Sequence, residues 1–216
     1  MKKPVEIELK AHTDNPAICK EKLIALAGEG TAFSKDDSYW FSEQNQKQIQ
    51  KLPLTGLRVR REKTGKTAQS EQCRVTWKNK KKSGRLEVND EHEFEASNGE
   101  VFEELLVLLG MEKRISKHKE GWAWHFNGIT AELCEVAGYI KPERGAEKAK
   151  PPALKNLGWF LELEILTSKK SGSVVAAARG KLLALLEKAG IAKGRIETRY
   201  YSELLAKPRQ TPGALR

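Results

Sequence analysis

The stretch Val5-Glu6-Ile7-Glu8-Leu9-Lys10 alternates apolar and charged residues without a break. Successive side chains of a strand point to opposite faces. Val5, Ile7 and Leu9 therefore share one face, and Glu6, Glu8 and Lys10 share the other. The alternation returns along the chain. Arg58 and Arg60 oppose Leu57 and Val59; Thr76 and Lys78 oppose Val75 and Trp77. Glu91 and Glu93 oppose His92 and Phe94, and Glu162 and Glu164 oppose Leu161, Leu163 and Ile165. For one strand alone, a charged face is most simply the wet side of a half-buried antiparallel sheet. The set reads differently, because some faces are purely acidic and others purely basic, where a solvent face would mix the signs.

Helices follow three of these strands. The first is expected from about Pro16 to Ala27, with Asp14 or Asn15 as its cap, Pro16 in its first turn and Gly28 after its end. The second is expected from about Gly99 to Leu109, ending at Gly110, and the third from about Ser173 to Ala189, ending at Gly190. Further strands are expected over Leu57 to Arg61, Cys73 to Lys78, Gly121 to Phe126 and Ile129 to Val136, in a meander. From Gly138 to Gly158 the composition turns to Lys, Pro, Gly and Ala, which predicts an inserted mobile loop. Residues 207–216 carry two prolines and no periodicity and are expected to form a flexible tail. The predicted unit is thus one domain over residues 1–206.

The helices need an apolar sheet face on which to bury their own stripes. If they cover the outside, the charged faces must meet across an interior, and the sheet closes into a charged tunnel. Two like charges ~4 Å apart repel by on the order of 4 kcal/mol at an effective dielectric of about 20. Clustered Arg and Lys therefore call for a polyanion, and clustered carboxylates for cations. A triphosphate chelated to a divalent metal satisfies both. With no His or Cys among these positions, the expected ions are the hard ones, Mg²⁺ or Mn²⁺.

The composition agrees with this reading and excludes others. The formal net charge of +10 implies an anionic partner. Part of it sits in Lys78-Asn79-Lys80-Lys81-Lys82, but no basic stripe with aromatic platforms is present, so nucleic acid is not the expected partner. Met1-Lys2-Lys3-Pro4 runs into charged residues without an apolar core, so no signal peptide is expected. No stretch reads as a membrane span, since Arg179 and Lys181 interrupt the Ala-Leu-rich run from Val174 to Ala189. Cys19, Cys73 and Cys134 are scattered and odd in number, which predicts free thiols and a cytoplasmic location. A monomer or homodimer is expected.

Glu6-x-Glu8-x-Lys10 resembles the N-terminal signature of the CYTH superfamily, the triphosphate tunnel metalloenzymes. The likeness extends over nearly the whole chain. Asp37-Ser38-Tyr39 is similar to the family's Asp-x-Tyr strand, Leu57-Arg58-Val59-Arg60 to its Leu-Arg-x-Arg, and Val75-Thr76-Trp77-Lys78 to its strand ending in Lys. Glu91-x-Glu93 resembles the central acidic pair, and Lys117-His118-Lys119 sits where the family has Lys-x-Arg. Leu157-Gly158-Trp159-Phe160-Leu161-Glu162-Leu163-Glu164 resembles the late Leu-Gly-x-Phe-x-Glu-x-Glu strand, and Tyr201-Ser202-Glu203-Leu204-Leu205 the Ser-Tyr-x-x-Leu ending. The chain departs from the pattern at Leu133-Cys134-Glu135-Val136, where Cys134 stands in place of the family's Asp. Glu132 on the same face, or Glu135, is the substitute to test. Lys119 keeps the charge of the family's Arg but not its bidentate fork.

The resemblance implies an α+β fold with a closed antiparallel eight-stranded β-barrel and helices packed outside. It also implies the roles. Lys10, Arg58, Arg60, Lys78, Lys117 and Lys119 hold phosphate oxygens, with Arg85 and Arg199 as further candidates. Glu6, Glu8, Glu91, Glu93, Glu162 and Glu164 form the metal-binding side. One metal neutralises the phosphate chain and a second activates a water or positions another nucleophile. The implied substrates are tripolyphosphate, ATP or thiamine triphosphate. The expected activity is that of a triphosphatase, since hydrolysis needs only the phosphate chain to be read; the alternatives are a class IV adenylyl cyclase yielding cyclic AMP and diphosphate, and a triphosphate- or polyphosphate-binding module without chemistry.

Overall fold

The computed structural model describes residues 5–42, 57–65, 71–83, 86–141, 153–167 and 171–206, and within 78–91 the backbone alone. The described residues form eight strands: β1 (Val5–Thr13), β2 (Thr31–Ser42), β3 (Leu57–Thr64), β4 (Gln72–Ser83), β5 (Leu86–Ala96), β6 (Met111–Phe126), β7 (Ile129–Ile140) and β8 (Lys155–Thr167). Among the described residues, four α-helices accompany them: α1 (Pro16–Ala27), α2 (Gly99–Leu108), α3 (Gly172–Lys188) and α4 (Tyr201–Ala206). The strand order is β1-β5-β4-β3-β2-β6-β7-β8, all neighbours antiparallel. β1 pairs with β5 on one side and with β8 on the other, which closes the barrel and leaves no edge.

The opening strand sets the inside and outside of this barrel. Ile7, Leu9 and Ala11 point outward and join Ala131 and Leu133 of β7 and Leu161 and Leu163 of β8 in one core. Cys19 and Leu23 of α1 and Leu182, Leu185 and Leu186 of α3 cover that core from outside. Each fully buried leucine contributes about 1.5–3 kcal/mol relative to exposure. A second outer cluster packs Leu106 of α2 on Trp40, Val59 and Cys73. The helices thus take the apolar faces and leave the charged ones inside.

The helix ends follow the sequence closely, with Gly28, Gly110 and Gly190 at positive φ where each helix stops. The caps differ. Asn98 caps α2, its side chain accepting from the Glu100 and Val101 N–H groups. Asn15 heads α1 without a side-chain cap, and its own N–H donates to Thr13 Oγ1. Asp14 instead accepts from Arg195 Nη2 at 2.5 Å. The strands run longer than their apolar cores suggested, because charged residues continue the inward face. β6 begins at Met111, ten residues before the expected Gly121. The segment read as a loop over 138–158 is strand at both ends, with β7 reaching Ile140 and β8 starting at Lys155. Residues 142–152 and the expected tail, 207–216, lie outside the described residues. Among the described residues, no helix is long and apolar enough to cross a membrane.

Close strand approach at one seam depends on a missing side chain. A Cβ on Gly121 of β6 would meet Leu133 O of β7 at 2.0 Å and Cys134 Cα at 2.7 Å. A Cβ on Gly180, in the middle of α3, meets nothing within 4 Å. The two Gly→Ala changes therefore have opposite expected signs. Gly121→Ala should lower stability by about 2–3 kcal/mol. Gly180→Ala should raise it by about 0.5–1 kcal/mol. Thermal melts of the two variants beside the parent protein check this.

Candidate functional site

The inward faces line one cavity of about 960 Å³, within the usual span of small-molecule sites. Its charges divide around the circumference. The neighbouring strands β7, β8, β1 and β5 bring Glu132, Glu162, Glu164, Glu6, Glu8 and Glu93 to the lumen. The other four, β4, β3, β2 and β6, bring Arg74, Arg58, Arg60, Lys35, Lys117 and Lys119. One half of the wall is acidic and the other basic. Each half also holds the opposite sign, Lys10 on β1, Glu62 on β3 and a buried Asp37 on β2.

Opposite charges meet at short range. Asp37, with no exposed side-chain surface, accepts from Arg60 Nε at 2.6 Å and Nη2 at 3.0 Å, and from Lys117 Nζ at 2.8 Å. Burial alone would favour the neutral acid. The charges of Arg60 and Lys117 outweigh it and hold the Asp37 carboxyl well below the usual range. Lys119 Nζ donates to Glu162 at 2.5 Å and lies 3.8 Å from Glu132, which also accepts from Lys35 at 2.5 Å. Both glutamates are largely withdrawn from solvent, which disfavours their charge, yet Lys119 keeps the pKa of each low. On the opposite arc, Glu93 accepts from Thr76 at 2.8 Å and from Arg58 at 3.4 Å.

Helix α4 adds an aromatic side chain to this charged interior. Tyr201 donates its hydroxyl to Glu162. Its ring centroid lies 4.6 Å from Lys10 Nζ, 5.0 Å from Lys117 Nζ and 5.4 Å from Lys119 Nζ. Behind it, Phe33, Cys134, Val136 and Phe160 form a buried apolar cluster.

No family model matches the chain, and no curated protein matches it by sequence. Solved structures do match. A protein of Pyrococcus horikoshii OT3 is 24% identical with a TM-score of 0.68, covering 93% of this chain and 97% of its own. A candidate adenylate cyclase of Vibrio parahaemolyticus is 15% identical with a TM-score of 0.62, covering 94% and 98%. A candidate adenylyl cyclase of Hippeastrum, reported with a dominant triphosphatase activity, is 14% identical with a TM-score of 0.56, covering 94% of each chain. The chain shares its fold with these proteins.

The tunnel gathers most of the residues singled out in the sequence. Lys10, Arg58, Arg60, Lys117 and Lys119 line it, as do Glu6, Glu8, Glu93, Glu162 and Glu164. Lys78 and Glu91 stand opposite each other in the β4–β5 register, and their side chains lie outside the described ones, as does Arg85. Arg199 is not in the tunnel. It chelates Glu197 at 2.6 and 2.9 Å, beside His12, whose Nε2 is 3.3 Å from the same carboxylate. At the departure from the family pattern, Cys134 is fully buried, and burial pushes its thiol pKa up, so it stays protonated. Glu132 is the acid that reaches the lumen, whereas Glu135 accepts from Asn156 at 2.7 Å at an exposed position.

The sequence reading missed Lys35 and Tyr201, and gave Asp37 no role. Lys35-Asp36-Asp37-Ser38 is polar on both faces, so its parity is hidden. Asp36 faces out to His118 Nδ1 at 2.7 Å, and Ser38 donates to Glu103 of α2 at 2.5 Å. Only Phe33-x-Lys35-x-Asp37-x-Tyr39 turns inward. Among the described residues, no three or more His, Cys, Asp and Glu side chains are arranged to hold a metal ion. The donor set suits a hard divalent cation, being carboxylate throughout, but Glu162 and Glu132 are engaged by lysines and Tyr201.

Removing Asp37 leaves two buried cations without their carboxylate. Asp37→Asn should cost about 3–5 kcal/mol in urea unfolding at neutral pH. The acid dependence follows from the depressed carboxyls Asp37, Glu132 and Glu162. Below their ordinary values the unfolded chain binds more protons than the folded one, so stability falls as pH drops, from about 5 downward. Above that the contribution is fully present and the curve is level. Asp37→Asn should start lower and show a shallower acid limb.

Proposed function

We propose that the chain is a metal-dependent enzyme acting on the triphosphate group of a small molecule, by hydrolysis of a terminal phosphoanhydride bond. The observation that carries this reading is the division of the lumen into a basic and an acidic wall. Arg58, Arg60, Lys35, Lys117 and Lys119, with Lys10 opposite, bind the non-bridging oxygens of the phosphate chain and take up charge that builds on the departing oxygen. Glu6, Glu8, Glu162 and Glu164, with Glu132 in place of the acid lost at Cys134, hold Mg²⁺ or Mn²⁺. When bound there, the metal neutralises the phosphate chain and lowers the pKa of a nucleophilic water. The walls exchange internal partners for ligand partners, so the buried ion pairs keep the charges in place until a substrate arrives. The fold shared with the Hippeastrum protein, reported with triphosphatase activity, supports the reading.

A class IV adenylyl cyclase is the second reading, in which the ribose 3′-hydroxyl of ATP attacks the α-phosphorus. It is favoured by the resemblance of Glu87-Val88-Asn89-Asp90-Glu91-His92-Glu93-Phe94 to the branch grouped with those cyclases, and by the fold shared with the Vibrio candidate. Hydrolysis stands first because it asks only that the phosphate chain and metal be read, which is what the lumen offers.

Incubation with tripolyphosphate and with ATP, in Mg²⁺ and in Mn²⁺, separates the readings by product. Orthophosphate is expected; cyclic AMP with diphosphate would move the assignment to the cyclase. Binding without any product would leave a binding module. Glu6→Gln and Glu8→Gln should each lower metal-dependent turnover by roughly 100-fold or more while melting near the parent temperature. Near-normal turnover in both would sink the placement of the metal side.

A further inference from the structure

Three lysines of the tunnel converge on one aromatic ring that neither the opening motif nor the strand alternation supplies. Tyr201 belongs to α4, at the far end of the described chain. Leu205 of the same helix packs with Phe41 and Ile115, and Gly138 leaves room for it, since a Cβ there would lie 3.0 Å from Leu205 Cδ1. Lys155 Nζ donates to the Leu205 carbonyl. The helix is thereby fixed against β2, β6, β7 and β8. The Tyr201 ring centroid then lies 4.6 to 5.4 Å from the Nζ atoms of Lys10, Lys117 and Lys119, and 5.0 Å from the Phe160 centroid in a T-shaped contact. Lys10 comes from the acidic half of the wall and the other two from the basic half. The ring is a single surface on which ammonium groups from both halves are held toward one point. Its hydroxyl reaches Glu162, the carboxylate that also binds Lys119.

We infer that Tyr201 is a positioning residue of the tunnel: its ring aligns Lys10, Lys117 and Lys119 for the phosphate chain, and its hydroxyl holds Glu162 when Lys119 turns to phosphate. This rests on the triphosphate reading above. Burial and the neighbouring Glu162 charge raise the phenol pKa well above its ordinary value, so it remains a donor.

The test compares the full chain with Tyr201→Phe and Tyr201→Leu, using calorimetric binding of tripolyphosphate in Mg²⁺ and steady-state turnover. Tyr201→Leu should weaken binding about tenfold. Tyr201→Phe keeps the ring, so Kd should stay within about threefold while kcat falls about tenfold. Loss of melting temperature with unchanged Kd and kcat in the folded protein would mean a purely structural role and overturn the inference. A ligand-free readout separates this from the functional reading. The lysine ε-CH₂ protons should be shifted upfield by the ring in NMR spectra of the parent protein and of Tyr201→Phe, and return to ordinary positions in Tyr201→Leu. If the parent protein does not bind tripolyphosphate, the functional reading fails, and the lysine signals alone decide whether Tyr201 aligns the three side chains. Unshifted signals in the parent protein would overturn the alignment.

Discussion

Ile7, Leu9 and Ala11 are buried under α1 and α3, and the placement of the charges follows from that contact. Side chains alternate along a strand, so covering one face with helices commits the other to the interior. Repeated on β7 and β8, the same outward burial draws Glu132, Glu162 and Glu164 inside together with Glu6, Glu8 and Lys10. Closure by β1 against both β5 and β8 then makes the interior a lumen rather than a groove. A one-residue slip in any of these strands would turn its charges into the helix-covered core, which fixes the register strongly.

The lumen does not hold its charges as two repelling clusters. Asp37 ties Arg60 to Lys117, Glu132 ties Lys35 toward Lys119, and Glu162 ties Lys119 to Tyr201. Desolvating these groups costs several kcal/mol per ion, which the pairing roughly offsets rather than exceeds. Such a network contributes little net stability, but it keeps long side chains ordered and desolvated in positions that a ligand can take over. Asp37 differs from the glutamates in having no exposed side-chain surface, which suits a fixed brace for Arg60 and Lys117.

Much of this was legible in the sequence, because alternation is a local property. Glu6, Glu8, Arg58, Glu162 and Glu164 each stand between apolar neighbours, and Arg60 follows Val59, so their face could be read two residues at a time. The ends of the three long helices were equally plain, since glycine at positive φ stops each of them. Lys35 and Asp37 were obscured because the outward positions beside them, Asp36 and Ser38, are polar as well, serving His118 and Glu103. The early part of β6 was missed for a related reason, since its inward lysines and outward polar residues carry little apolar contrast.

What the sequence by itself determined was the sign and face of the charges on the strands that alternate with apolar residues, because both follow from the chain's own period of two. Which strands became neighbours was decided only by the tertiary structure. The order β7-β8-β1-β5 against β4-β3-β2-β6 gathers acids on one arc and bases on the other, and it depends on pairings between residues far apart in the chain. The entry of Tyr201 into the lumen was likewise a tertiary outcome. A six-residue helix has too little local pattern to show a direction, and its place is set by Leu205 docking where Gly138 leaves room.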